Sequence, residues 1–149
     1  MRTLANITVL IVFGIGAIQA QKKLGLKDLP ATVQKTVQEQ LKGGEIKSIG
    51  KETENGVTQY EIESLLNGKH RDFNVGAKGK LLVVEEETDI AKIPAAAKAA
   101  IEKKAAGGKI GMVELVMRGG ETLYEAAYTS GDGKKHAVLV KADGTETKD

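Results

Sequence analysis

Two stretches decide the reading of this chain: LPATVQKTVQEQLKGGEI, Leu29 to Ile46, and IPAAAKAAIEKKAAGGKI, Ile93 to Ile110. Few identities repeat between them, but the layout does. Leu29-Pro30 returns as Ile93-Pro94, and Gly43-Gly44 returns as Gly107-Gly108, each 64 residues later. Self-similarity at a fixed spacing is the mark of a repeated unit. Leu29, Val33, Val37 and Leu41 fall four apart and form one apolar stripe on a helix. Ile93, Ala97, Ile101 and Ala105 form the same stripe in the second copy, thinner and richer in alanine. Proline suits the first turn of each helix and the glycine pair suits its end.

After each helix the apolar period shifts from four to two, the period of a strand. Ile46 to Thr53, Val57 to Leu66, Arg71 to Val75 and Leu81 to Val84 read as four strands. Asn55-Gly56, Asn67-Gly68 and Ala77-Lys78-Gly79 separate them as turns. The second copy supplies Ile110 to Met117, then Gly119-Gly120, then Thr122-Leu123-Tyr124-Glu125, which matches Thr58-Gln59-Tyr60-Glu61. Val138 and Val140 match Phe73 and Val75 after one inserted residue, and the last strand is degenerate. The expectation is an α+β protein of two tandem units, each one helix packed on an antiparallel meander of three to four strands. The units span 28–87 and 88–149. Leu81 to Val84 is apolar on both faces and so should lie buried near their junction.

The first 20 residues differ from the rest. Met1-Arg2 is basic, Leu4 to Ile18 is almost wholly apolar, and Ala20 precedes the polar Gln21-Lys22-Lys23. That is the plan of a secretory signal peptide, its apolar run short for a spanning helix, with a retained membrane anchor as the alternative. The expectation is therefore an exported chain, periplasmic or extracellular, with no membrane segment after cleavage and residues 21–27 as a flexible lead-in. The absence of cysteine excludes disulfides, thiol catalysis and cysteine-based metal sites. An exported chain without cysteine has a bacterial look. Without Arg2 the basic and acidic residues nearly balance, 21 against 20. There is no basic stripe and little aromatic surface, so nucleic acid is not an expected partner.

The layout resembles the PepSY and PepSY-like families, which in turn resemble the β-lactamase-inhibitor fold. The resemblance rests on Leu29-Pro30, on GGEIKSI from Gly43 to Ile49, on YEIE from Tyr60 to Glu63 and on AKGKLL from Ala77 to Leu82. It rests too on the second-copy echoes GGKIGMV, YEAA and ADGT. It covers nearly all of the chain after residue 20. It implies a secreted or periplasmic module without cofactor or catalysis, of a kind found in the propeptides of secreted metallopeptidases. No peptidase domain follows, so a restrained peptidase would be another chain. Tight inhibitor interfaces lean on Trp, Tyr and Arg. After residue 20 this chain has no Trp and only Arg71 and Arg118 as arginines.

Each group that could carry chemistry also has a plainer role. By the repeat alignment His70 and His136 fall one step out of register and should point to opposite sheet faces, so a shared metal site is not expected. Glu85-Glu86-Glu87 with Asp89 could collect a cation but reads as a solvated linker between the units, because consecutive side chains diverge. Glu61 and Glu63 share a strand face without any other mark of a pocket. Gly14-Ile15-Gly16 lies inside the export segment, Gly131 to Lys135 has too few carboxylates for a calcium loop, and Ser64 and Ser130 form no hydrolase pattern. Tyr60 and Tyr124, at equivalent positions, are expected in packing roles.

The reading is a non-enzymatic binding protein with a protein partner, no cofactor and no metal, possessing a working surface on the sheet face away from the helices. That face should carry Gln59, Glu61, Glu63, His70, Asp72 and Asn74, and then the less polar Leu123, Glu125, Ala127, Ala137 and Leu139. Restraint of a peptidase is one form of such binding. The alternative is a small ligand or cation held in a groove between the units, which an exposed apolar groove would favour.

Overall fold

The computed structural model describes residues 24–54 and 56–148, with no account of the Glu54 side chain. The expected signal segment, residues 1–20, lies outside them. Among the described residues no helix is long and apolar enough to cross a membrane.

The chain forms helix α1 (Ala31–Leu41), then strands β1 (Glu45–Glu54), β2 (Val57–Leu66), β3 (Lys69–Gly76) and β4 (Leu81–Thr88). Helix α2 (Ala95–Lys104) follows, with strands β5 (Lys109–Arg118), β6 (Glu121–Thr129), β7 (Lys135–Lys141) and the two-residue β8 (Glu146–Thr147). The expectation of two tandem helix-on-meander units, sharing an interface or a continuous sheet, is corrected here to a single sheet. All eight strands form one antiparallel sheet in sequence order. β4 pairs with β5 from Val83↔Arg118 to Thr88↔Val113, so the ladder runs through the middle without a break. The physical reason lies in β4 itself. Val83 and Val84 are buried on its two faces, and its backbone gains partners on both sides only if β5 closes the free edge.

Both helices lie on one side of the sheet. Leu29, Val33 and Val37 pack with Ile49, Tyr60, Ile62, Phe73, Val75 and Val84. Ile93, Ala97 and Ile101 pack with Val113, Ala126, Val138 and Val140. Tyr60 is 7% exposed within the first cluster, and Tyr124 packs at the margin of the second, as their packing roles require. Pro30 and Pro94 occupy the N-cap positions of α1 and α2 with nearly the same backbone angles. The glycine pairs do more than end the helices. A Cβ on Gly44 would stand 2.5 Å from the Leu65 carbonyl oxygen, and one on Gly108 would run into the Thr129 carbonyl. Each second glycine thus lets the chain pass against the far end of the next hairpin as it enters the sheet.

Two local expectations change as well. Glu85, Glu86 and Glu87 are not a linker but the second half of β4, and alternation sends Glu86 to the helix side and its neighbours to the other. Within the expected lead-in, Leu26–Asp28 forms a 3-10 turn, and Leu24 and Leu26 pack against the α1 cluster.

Arg71 ties α1 to the sheet. It is 3% exposed on the helix side of β3. Its Nη1 donates to the Gln40 carbonyl at 2.7 Å, Nη2 to Gln40 Oε1 at 3.1 Å, and Nε to Glu86 Oε1 at 2.9 Å. The guanidinium therefore caps the last turn of α1, where a cation also meets the negative end of the helix dipole.

Candidate functional site: the open sheet face

The strand register assigns every side chain to the helix side or the open side of the sheet. Gln59, Glu61, Glu63, His70, Asp72, Asn74, Leu123, Glu125, Ala127, Ala137 and Leu139 all fall on the open side, as their alternation required. The register adds residues that the sequence reading did not place there: Val83, Glu85 and Glu87 from β4, and Glu114 and Val116 from β5. His136 lies on the opposite side, stacked on Tyr128 with ring centroids 5.1 Å apart, while His70 is exposed on the open side. The two histidines therefore do point to opposite faces.

Two rows of carboxylates cross the middle of this face. Asp72 stands opposite Glu85, with Glu63 beyond it on β2. Glu87 stands opposite Glu114, and Glu114 opposite Glu125. Like charges directly opposed across a ladder are destabilising. Some of these groups have local donors. Glu63 accepts from Ser48 Oγ at 2.6 Å, Asp72 from the Ser64 backbone N–H at 2.8 Å, and Glu87 from the His70 backbone N–H at 3.1 Å. The Asp72 bond fills a gap in the β2–β3 ladder, where the Ser64 hydroxyl also donates to the Arg71 carbonyl. Glu114 is different. It is 6% exposed, and among the described residues no hydrogen-bond donor or salt-bridge cation meets its carboxylate.

The electrostatics follow from this crowding. Burial, then the charges of Glu114, Glu125, Asp72 and Glu61, push the Glu85 carboxyl up to about 8. Burial, then Asp72 and Glu87, raise Glu114 against the opposing pull of His70. Glu61 is raised by burial and then by Glu52, Glu63 and Asp72, and Asp72 is raised chiefly by burial. Desolvation and like charge act in the same direction on a carboxylate.

Beside the carboxylates lies an apolar patch of Val83, Val116, Leu123 and Leu139, with Leu82 at its edge. Leu123 is 2% exposed within this cluster. The open side thus carries a buried apolar cluster beside the carboxylates.

A groove of about 610 Å³ opens on the helix side, between the end of α1 and the β5–β6 turn. Its lining includes Lys42, Arg71, Val84, Glu86, Met117 and Arg118. Arg71 and Glu86 already bind each other there. Among the described residues no three acidic or histidine side chains converge to hold a metal ion.

No protein-family model matches the chain, so the PepSY resemblance rests on its motifs alone. No curated protein matches either. Solved structures do. A candidate periplasmic protein from Bacteroides eggerthii is 14% identical, with a TM-score of 0.64 over 80% of this chain and 86% of that one. A DUF2874 family protein from Bacteroides uniformis is 15% identical, with a TM-score of 0.64 over 80% and 86%. A BLIP-like protein from Bacteroides fragilis is 17% identical, with a TM-score of 0.57 over 80% and 83%. At these identities the likeness is one of fold, and the inhibitor-like fold expected from the sequence agrees with it.

Proposed function

We propose that this is an exported, non-enzymatic envelope protein of the PepSY-like kind that docks a protein partner on the open face of its sheet. The observation that carries the proposal is the opposition of carboxylates across the open face, Glu87 to Glu114 and Glu114 to Glu125, beside the apolar cluster of Val83, Val116, Leu123 and Leu139. A free protein gains nothing in stability from such an arrangement, because like charges opposed across a ladder are destabilising. It becomes favourable when a second molecule supplies the missing donors. A periplasmic setting is supported by the signal-like N-terminus and by the description of the Bacteroides eggerthii neighbour. Restraint of an envelope peptidase is one outcome such docking would have.

The test is capture from the native envelope fraction with the mature protein as bait. Glu61 and Glu63 are exposed on the working face, and Glu102 is exposed on α2. The double change Glu61→Lys, Glu63→Lys should abolish capture, whereas Glu102→Lys should leave it intact. Equal capture by both variants would remove the open face from the account.

The groove on the helix side favours a second reading, a small anionic ligand beside Lys42. Its volume falls within the usual range for ligand pockets of about 300–1,000 Å³. Saturation of Arg71 by Gln40 and Glu86 leaves that reading with the weaker support.

A further inference from the structure

Both helices lie on one side of the sheet, α1 chiefly over β2 and β3 and α2 over β7. Between them, parts of β4 and β5 form the floor of the groove of about 610 Å³. Val84 and Met117 stand opposite each other across the β4–β5 ladder, and Leu81 opens β4. All three line the groove. Leu81 and Met117 pack against the α1 cluster yet stay only half-buried, so each leaves apolar surface there. The repeat makes that surface informative. Leu115 and Met117 fall 64 residues after Lys51 and Thr53, on the same helix-facing side of the equivalent strand. Lys51 and Thr53 are exposed, as polar residues on an uncovered strand ordinarily are. β5 carries apolar residues at those places.

The groove also has a charged mouth. Lys42 lines it at the end of α1 and is exposed, with its backbone in the left-handed region at φ 50 and ψ 29. Glycine or asparagine is the ordinary residue there, because a Cβ is strained in that conformation. The second copy has Ala106 at the matching position, and Ala106 does not adopt a positive φ. A long cationic side chain held on a strained backbone beside a groove points to a use for its ammonium. Arg71 and Glu86 neutralise each other, and Glu121 is exposed on the opposite wall. An anionic group is therefore drawn to the α1 wall and repelled from the β6 wall.

We propose that the groove takes a free, monomeric amphiphile with an anionic head, of the fatty-acid class. Its carboxylate pairs with the Lys42 ammonium, and its alkyl chain lies along Leu81, Val84 and Met117. Leu81 to Glu86 runs about 17 Å at the rise of a strand, enough for an extended alkyl chain. The inference rests on the second reading above, a small anionic ligand beside Lys42, and adds the apolar tail that the floor calls for.

The experiment uses the mature chain and decanoate below its micellar concentration, followed by calorimetry and amide chemical shifts. Acetate supplies the head without the tail, and decanol the tail without the charge. The expected result is saturable decanoate binding, with shifts at Gln40, Lys42, Val84 and Met117. Decanol should bind about fivefold more weakly, the scale of one exposed ion pair, and acetate should not saturate. Lys42→Gly gives the sharper contrast. It removes the ammonium and relieves the backbone, so it should raise the melting temperature while weakening decanoate about fivefold. Folding and binding are thus read separately. Glu121→Gln should bind decanoate at least as tightly as the parent chain. Decanoate binding unchanged by Lys42→Gly, or decanol binding as tightly as decanoate, would overturn the proposal. Co-sedimentation with phosphatidylglycerol vesicles would overturn it too, since the ligand would then be a bilayer and not a free monomer. If decanoate fails while acetate shifts the same amides in a Lys42-dependent way, the amphiphile falls and the small-anion reading stands. If neither anion shifts them, both fall.

Discussion

Glu114 on β5 and Glu125 on β6 stand directly opposite each other in the ladder, and each is only 6% exposed. With Glu87 on the far side of Glu114 and Glu85 one step along β4, they crowd acidic groups at the centre of the open face. The free protein is stabilised by whatever relieves that crowding.

Protons are the simplest neutraliser, and the sign of the effect is fixed. The folded state holds the Glu85 proton up to about pH 8, whereas an unfolded glutamate releases it near 4.5. Between those values the folded state binds more protons, so stability falls as pH rises. Glu61, Asp72 and Glu114 are raised too and add to the same slope. Melting temperature should therefore be higher at pH 5.5 than at pH 9, and Glu85→Gln should flatten the profile and stabilise the protein at pH 9. Thermal scans across that range by circular dichroism would show it. A melting temperature that climbs with pH would contradict the crowding described above.

Arg71 presents the opposite case, a buried charge fully partnered. Replacement by alanine strands the Gln40 carbonyl and loosens Glu86 at once. The expected loss is about 2–4 kcal/mol, in the range for breaking a buried charged network. Arg71→Lys should recover only part, because an ammonium cannot reach all three acceptors in one plane. Urea unfolding of the two variants would check both statements.

Val37 and His70 separate the two faces. Val37 is fully buried beneath α1, so Val37→Asp should cost several kcal/mol or prevent folding. His70 is exposed, and His70→Ala should stay within about 0.5 kcal/mol. Similar losses in both would mean that the register is wrong.

The glycine pair allows a finer contrast. Gly43 has a positive φ with open space around it, so Gly43→Ala should cost about 1 kcal/mol of backbone strain. Gly44 has no such angle but lies against backbone oxygen at Leu65, so Gly44→Ala should cost clearly more. Equilibrium unfolding of the two single variants would show whether close approach outweighs backbone conformation here.

Much of this was legible in the sequence, and the exceptions have physical causes. The stripe of Leu29, Val33 and Val37 and the alternation around Tyr60 and Ile62 are local patterns, and they placed helices, strands and faces correctly. Whether β4 pairs with β5 is a contact between segments far apart in the chain, which no local period encodes. Three consecutive glutamates resemble a linker because alternation cannot be seen in identical residues. The strand register, with Glu86 bound to the buried Arg71, shows that Glu86 turns one way and Glu85 and Glu87 the other. Glu114 was invisible for a related reason, since one acid within MVELV reads as an ordinary outward-facing strand position. The carboxylate rows exist only in the register, where residues from five strands meet.

Carboxyl footprinting tests the central claim most directly. A carbodiimide with glycine ethyl ester labels accessible acids, and mass spectrometry reads the labelled positions with and without the native envelope fraction. Docking on the open face predicts that Glu61, Glu63 and Glu87 lose label when the fraction is added, whereas Glu39 and Glu102 on the helices keep theirs. Unchanged labelling of the open face, or protection confined to the helices, would contradict it.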